Sequence, residues 1–147
     1  MDVITIRVAT MSDLAAIETL LTQSELPTEG VSEALGAFLV AEAPAGIIGV
    51  VGLELRGDYG LLRSTAVRPE WRGQRVAKRL VERLIADAKS RNIRALYLLT
   101  TTAEGYFPSL GFRMMPRDDA PEEIHATDEF RGACPASATL MSLSLQP

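Results

Sequence analysis

Ser64-Thr65-Ala66-Val67-Arg68-Pro69-Glu70-Trp71-Arg72-Gly73-Gln74-Arg75-Val76-Ala77 is the stretch whose reading decides the fold. Its first residues end a β-type run over 61–67, and Pro69 and Gly73 interrupt that run. From Gly73 onward Val76, Ala77, Leu80, Val81, Leu84, Ile85 and Ala88 recur at helical spacing, with Lys78, Arg79, Glu82, Arg83 and Asp87 on the other face. A strand therefore runs through a turn into the N-terminus of the longest helix in the chain. Such a junction suits an anion, because the first N–H groups of a helix lack internal partners and the aligned peptide dipoles add positive charge there. Arg72, Arg75 and Lys78 add full charges at the same place.

Charge along the chain agrees with that reading. Residues 63–94 hold ten of the fifteen basic residues against Glu70, Glu82 and Asp87, a balance of +7 in a chain whose net charge is −4. One face is thus predicted to meet an anion; the plainer alternative is a solvated helix surface whose arginines serve solubility. The negative total argues against general nucleic-acid binding.

Working outward, Ala95-Leu96-Tyr97-Leu98-Leu99-Thr100 reads as a buried strand. Strand, helix, strand order predicts a parallel pair with a right-handed crossover, which sets the helix start at the C-terminal edge of the 61–67 strand. Residues 46–55 are β-rich and return through Arg56-Gly57-Asp58-Tyr59-Gly60, so two central strands run antiparallel. Further upstream the chain predicts a strand at 3–8, a helix over 13–21 capped by Ser12, a loop at 26–30, a short helix at 31–35 and a strand at 37–41. Downstream it predicts a short helix over 104–110 ended by Gly111, a strand at 112–115, a helical stretch at 121–127 and a final strand over 137–145. The fold class is α/β (α+β), a mixed central sheet with flanking helices. The 147 residues suit one domain, 1–147, and no turn-rich gap is long enough for a linker.

No run approaches the ~18 to 20 apolar residues of a membrane span, and the N-terminus has no leader pattern. Cys134 cannot form an internal disulfide, and with His125 it cannot furnish a zinc site. A cytoplasmic protein without membrane, nucleic-acid or metal partners is expected. Cys134 is read as a plain thiol, His125 as a surface residue and Trp71 as a packing residue at the helix entry.

The 64–77 stretch resembles the signature of GCN5-related N-acetyltransferases (GNAT), in which Gln or Arg is followed by x-x-Gly-x-Gly/Ala. Arg72 and Ala77 match its ends, while Arg75 stands where the family prefers Gly; were its φ helical, that exchange would cost little. Ala66-Val67-Arg68-Pro69 and Leu110-Gly111-Phe112 also fit, and the order of elements looks like the complete acyl-CoA N-acyltransferase fold with its splayed central strand. Two narrower likenesses exist. Leu98-Leu99-Thr100-Thr101-Thr102 followed by Tyr106-Phe107-Pro108-Ser109-Leu110-Gly111-Phe112 resembles the acetyltransferase domain of N-acetylglutamate synthases. The combination of Leu26-Pro27-Thr28-Glu29-Gly30, Gly57-Asp58, Thr100-Thr101-Thr102-Ala103-Glu104 and Cys134-Pro135-Ala136-Ser137-Ala138 resembles small acetyltransferases of arsenic-resistance operons.

The resemblance implies acetyl-CoA as cosubstrate and direct transfer to an amine, with no covalent enzyme. It assigns the cofactor to Thr65, Ala66, Val67, Arg72, Gly73, Gln74, Arg75, Val76, Ala77, Lys78 and Phe107, with the 65–67 amides as oxyanion donors whose N–H groups matter more than their side chains. An ammonium must be deprotonated before it attacks. Glu54, a carboxylate in an apolar strand, is the first candidate base, its alternatives being an outward orientation or an ion pair with Arg63. Glu29 in the loop over the acceptor pocket is the second. The family's general-acid tyrosine falls at Phe107, which leaves Tyr106 as an adjacent substitute expected to point elsewhere. Arg63 would grip an acceptor carboxylate, and Thr101 with its neighbours would hydrogen-bond the acceptor. The expected activity is acetylation of a small amine, an amino acid or glutamate-like compound, with a resistance role. The alternatives are a polyamine, aminoglycoside or protein N-terminus as acceptor, or a non-catalytic acyl-CoA-binding module, which Arg75 and Phe107 motivate. The resemblance also admits a homodimer.

Overall fold

A computed structural model describes residues 3–101, 106–133 and 137–145. Thr102, the beginning of the expected 104–110 helix, and Cys134 lie outside the described residues. Seven strands make one sheet: β1 (Thr5–Val8), β2 (Leu39–Ala43), β3 (Gly46–Arg56), β4 (Tyr59–Val67), β5 (Ala95–Thr100), β6 (Arg113–Met115) and β7 (Thr139–Ser144). Their order is β1-β2-β3-β4-β5-β7-β6. Every neighbouring pair is antiparallel except β4 with β5, the parallel pair that the strand, helix, strand order predicts.

The helices are α1 (Leu14–Gln23), α2 (Val76–Ser90) and the single turn α3 (Glu122–His125). α2 lays Val76, Leu80, Val81 and Leu84 on one face of the sheet, over Leu39, Ala41, Ile48 and Val51. On the other face α1 packs Ile17, Leu20 and Leu21 with Phe38, Val40 and Val50, and Ile124 of α3 meets Leu61, Tyr97 and Leu140. The pleat explains the partition, since successive strand residues point to opposite faces and Leu39 and Ala41 serve α2 while Val40 serves α1. No described helix is long and apolar enough to cross a membrane.

Several local expectations are corrected. Ser12 does not cap the first helix: Asp13 reaches back to accept the Thr10 N–H at 2.8 Å, and a 3-10 turn, Met11–Asp13, leads into α1. Residues 31–35 form turns ending in the 3-10 turn Leu35–Ala37 and not an α-helix. The β3–β4 connection is a two-residue turn, Gly57-Asp58, with Arg56 opposite Tyr59.

Two irregularities in β4 create the site. Val50 pairs with Ala66 but Gly52 pairs with Arg63, so Ser64 and Thr65 together oppose Val51 in a β-bulge, with Ser64 at φ +60°. β4 pairs with β5 only from Tyr59 to Leu61. β5 meanwhile pairs with β7 along its whole length. Beyond Leu61 the two central strands therefore part, leaving the β5-facing edge of β4 without strand partners.

Candidate active site

On one side of this wedge lies a groove of about 800 Å³ between β4 and the start of α2. Thr65, Ala66, Val67, Arg72, Gly73, Arg75, Val76, Ala77 and Lys78 all line it, with Trp71 at the helix entry. Gly73 sits at φ +82°, where a Cβ would touch nothing, so glycine serves conformation here and not space. The first turn of α2 begins its hydrogen bonding with Arg79 N–H to Arg75 O at 3.0 Å. The N–H groups of Val76, Ala77 and Lys78 precede that bond and have no helical acceptor, and they stand where the groove runs. Arg72 ties the turn to the strand by donating Nε–H to Val67 O at 3.3 Å.

Three assignments change. Arg75 takes a left-handed φ of +63°, so its presence in place of glycine is not cheap and costs about 1 kcal/mol. Gln74 is exposed, reaches back to Glu70 O at 3.5 Å and is not among the groove residues. Phe107 lines the neighbouring cavity, not this groove, and packs edge-on against Phe112 at 5.7 Å.

That neighbouring cavity, of about 600 Å³, fills the wedge where β4 and β5 part. Leu62 to Thr65 form one wall and Leu98 to Thr101 the other; Glu25, Leu26, Pro27 and Glu29 cover it, and Glu129 closes the far side. Glu29 and Thr101 both line this cavity. Leu26, Thr65 and Tyr106 line both spaces and mark the seam between them.

Arg63 reaches the cavity wall, but its guanidinium is already engaged. Nη1 donates to Glu54 Oε1 at 2.5 Å, Nε lies 2.9 Å from Ser64 Oγ and 3.1 Å from Glu129 Oε2, and Nη2 is 3.4 Å from Pro27 O. Its side chain is 0% exposed. With Nε and Nη1 already on carboxylates and no side-chain surface exposed, the expected two-pronged grip on an acceptor carboxylate is not set up. Glu54 is likewise spent: its second oxygen accepts from Arg56 Nη2 at 3.0 Å, and it lines a separate cavity on the far side of Arg63. The ion pair with Arg63, and not a free base, is the role the geometry gives Glu54.

Tyr106 does not point elsewhere. The short helix is a 3-10 turn, Phe107–Leu110, and Tyr106 precedes it with its ring edge-on to Phe107 at 5.3 Å. Its hydroxyl is buried, and desolvation, with Glu82 adding to it, pushes its pKa up to about 12. Glu129 escaped sequence reading altogether. It lies 66 positions from Arg63 in a segment with no periodic signal, and only its burial at 4% exposure distinguishes it from a surface carboxylate.

Residues 34–114 match the acetyltransferase (GNAT) domain family. The chain is 27% identical over 129 residues to the protein YwlB of Bacillus subtilis, covering 85% of this chain and 86% of YwlB. It is similar in structure to Rv2747 from Mycobacterium tuberculosis, solved with CoA, at a TM-score of 0.82 and 24% identity over 97% of this chain and 99% of that one. N-acetylglutamate synthase from Neisseria gonorrhoeae, solved with coenzyme A and N-acetyl-glutamate, matches at a TM-score of 0.83 and 21% identity, over 99% of this chain and 36% of that longer one.

Proposed function

The chain belongs to the acetyltransferase (GNAT) domain family and is an acyl-CoA-dependent N-acyltransferase, and from that premise we propose that it moves the acetyl group of acetyl-CoA to a primary amine on an acceptor of net positive charge. The observation that carries the choice of acceptor is the neutralisation of Arg63 by Glu54 and Glu129. With that cation occupied, the cavity presents Glu25 and Glu29 with no free positive charge among its lining residues. The sequence supplies no substitute: residues 14–55, 95–112 and 132–147 contain no lysine or arginine. A glutamate-like acceptor would bring two carboxylates into a space walled by others, whereas a polyamine, an aminoglycoside or a peptide N-terminus would be drawn in.

The residues present fit acetyl-CoA. Arg72, Arg75, Lys78 and the first N–H groups of α2 suit the pyrophosphate, and the unpaired edge of β4 at 65–67 suits the amide-bearing arm. The thioester supplies the activated acetyl group. Glu29, a solvent-reached carboxylate on the cavity wall, takes the ammonium proton directly or through water. The Tyr106 hydroxyl is buried at the seam of the two spaces and stays protonated, desolvation pushing its pKa up to about 12. Its contribution is a hydrogen bond to the sulfur as charge develops there.

Thiol release from acetyl-CoA across a panel tests the reading. Spermidine, an aminoglycoside and a short basic peptide should turn over, and glutamate with its phosphinic and arsinic analogues should not. Glu29→Gln should raise the KM of the cationic acceptor several-fold and lower kcat. Turnover confined to the acidic amino acids would discard the cationic acceptor while leaving the acetyl transfer intact.

A further inference from the structure

Among the described residues two buried side-chain polar atoms have no hydrogen-bond partner, Thr65 Oγ1 and Tyr106 Oη. Both residues line the cofactor groove and the acceptor cavity at once, so both orphans lie at the seam through which an acyl group must pass. A buried hydroxyl left unsatisfied costs about 1–3 kcal/mol, and folded proteins leave few such groups without a use. Tyr106 has a part in the scheme above; Thr65 has only its backbone there.

The backbone puts the Thr65 side chain at the seam. Leu62 and Val67 both pack in the core under α2, and Ala66 packs in the core under α1. Strict alternation would place residues 62 and 67 on opposite faces. The bulge at Ser64 and Thr65 takes up the odd residue, and Thr65 emerges from it beside the edge that β5 has vacated. Valine would fill the same space without an orphaned hydroxyl, so packing alone does not account for threonine.

We propose that the Thr65 hydroxyl donates a hydrogen bond to the acyl carbonyl oxygen, a bond that strengthens as the oxygen becomes the tetrahedral oxyanion. The proton stays on Oγ1 throughout, and the backbone donors of the same strand share the charge. The inference rests on the acetyl-transfer reading but not on the identity of the amine. It makes Thr65 a catalytic residue through its side chain, where the sequence suggested that its amide matters more.

Thr65→Val and Thr65→Ser test it, with two readouts. In thermal unfolding, acetyl-CoA should raise the Tm of the wild type more than CoA does, because only acetyl-CoA carries the carbonyl. Thr65→Val should erase that difference and Thr65→Ser should keep it. Without ligand, Thr65→Val should melt at or above the wild-type temperature, since it removes an unsatisfied hydroxyl. In turnover with spermidine, Thr65→Val should lose about 100-fold in kcat, with the KM for acetyl-CoA within about twofold and Thr65→Ser largely restored. The proposal is overturned if Thr65→Val keeps wild-type kcat and the acetyl-CoA difference, or if it melts several degrees lower without ligand. Loss of spermidine turnover in the wild type, with the acetyl-CoA difference intact, would instead count against the cationic acceptor.

Discussion

Arg63 holds the wall of the cavity together through Glu54 and Glu129, and on the proposed reading that pairing also sets which acceptors the cavity admits. With Glu54 at 5% and Glu129 at 4% exposure, removing the guanidinium takes a shared cation from two buried carboxylates, although Glu54 keeps Arg56. Arg63→Met should therefore cost about 3–5 kcal/mol, read as a fall in the urea midpoint at constant m-value; a pure substrate grip would change KM and leave the midpoint alone. The pair was half legible: Glu54 and Arg63 sit nine positions apart on adjacent strands, close enough to weigh as partners, whereas Glu129 reaches them only through the tertiary fold. A second residue-scale cluster lies far from the site. Hydrogen bonds from Arg7 at 2.8 and 3.0 Å, with the Thr10 N–H at 2.8 Å, hold the buried Asp13 carboxyl down at about 2 from its ordinary 3.8. Because the folded value lies below the unfolded one, the ionised carboxylate contributes stability that is fully present above about pH 4 and is lost as pH falls towards 2. Unfolding free energy measured across that window should drop in the wild type and flatten in Asp13→Asn, which should be the less stable protein at pH 7.

At the scale of elements, the hydrophobic period of α2 and the strand, helix, strand order announced the parallel pair, and residue type sufficed because burial and periodicity are local. The bulge was not legible. Leu61, Leu62, Ala66 and Val67 are all apolar, so the slip in alternation between Leu62 and Val67 leaves no mark in the pattern, and Ser64 gives no hint of φ +60°. Nor was the conformation at Arg75 legible, for a residue before a helix is expected to be extended or helical. Its left-handed φ yields a direct test: Arg75→Gly should be about 1 kcal/mol more stable than Arg75→Ala by chemical denaturation, since both remove the charge and only glycine accepts that φ without strain. The β3 strand carries a comparable constraint at Gly52, where a Cβ would come within 2.3 to 2.6 Å of the Phe38 ring. Phe38 is fully buried, so Gly52→Ala should force it out of place and cost about 1–3 kcal/mol, lowering Tm and, through the adjacent Arg63 wall, weakening acceptor binding.

Over the whole molecule the charges divide along a functional line. Of the basic residues in 63–94, Arg72, Arg75 and Lys78 line the groove proposed for an anionic acyl donor, while the loop Glu25 to Glu29 over the proposed acceptor cavity comes from a segment, 14–55, without a single lysine or arginine. This division was visible in the sequence, but its meaning at Arg63 was not, because that arginine belongs by position to the basic segment and by contact to the acidic side. Two substrates of opposite sign then approach two fields of opposite sign, and the fields extend only about 10 Å at 0.1 M ionic strength. Raising salt should increase the KM for acetyl-CoA and the KM for a polyamine together, with kcat nearly constant, because attraction is lost at both mouths and chemistry at the seam is untouched. An acidic acceptor predicts the opposite sign for the second substrate, since screening would relieve its repulsion from Glu25 and Glu29 and lower its KM. Initial rates with each substrate varied in turn between low and high salt separate the two, and parallel rises in both KM values are the outcome expected of this charge arrangement.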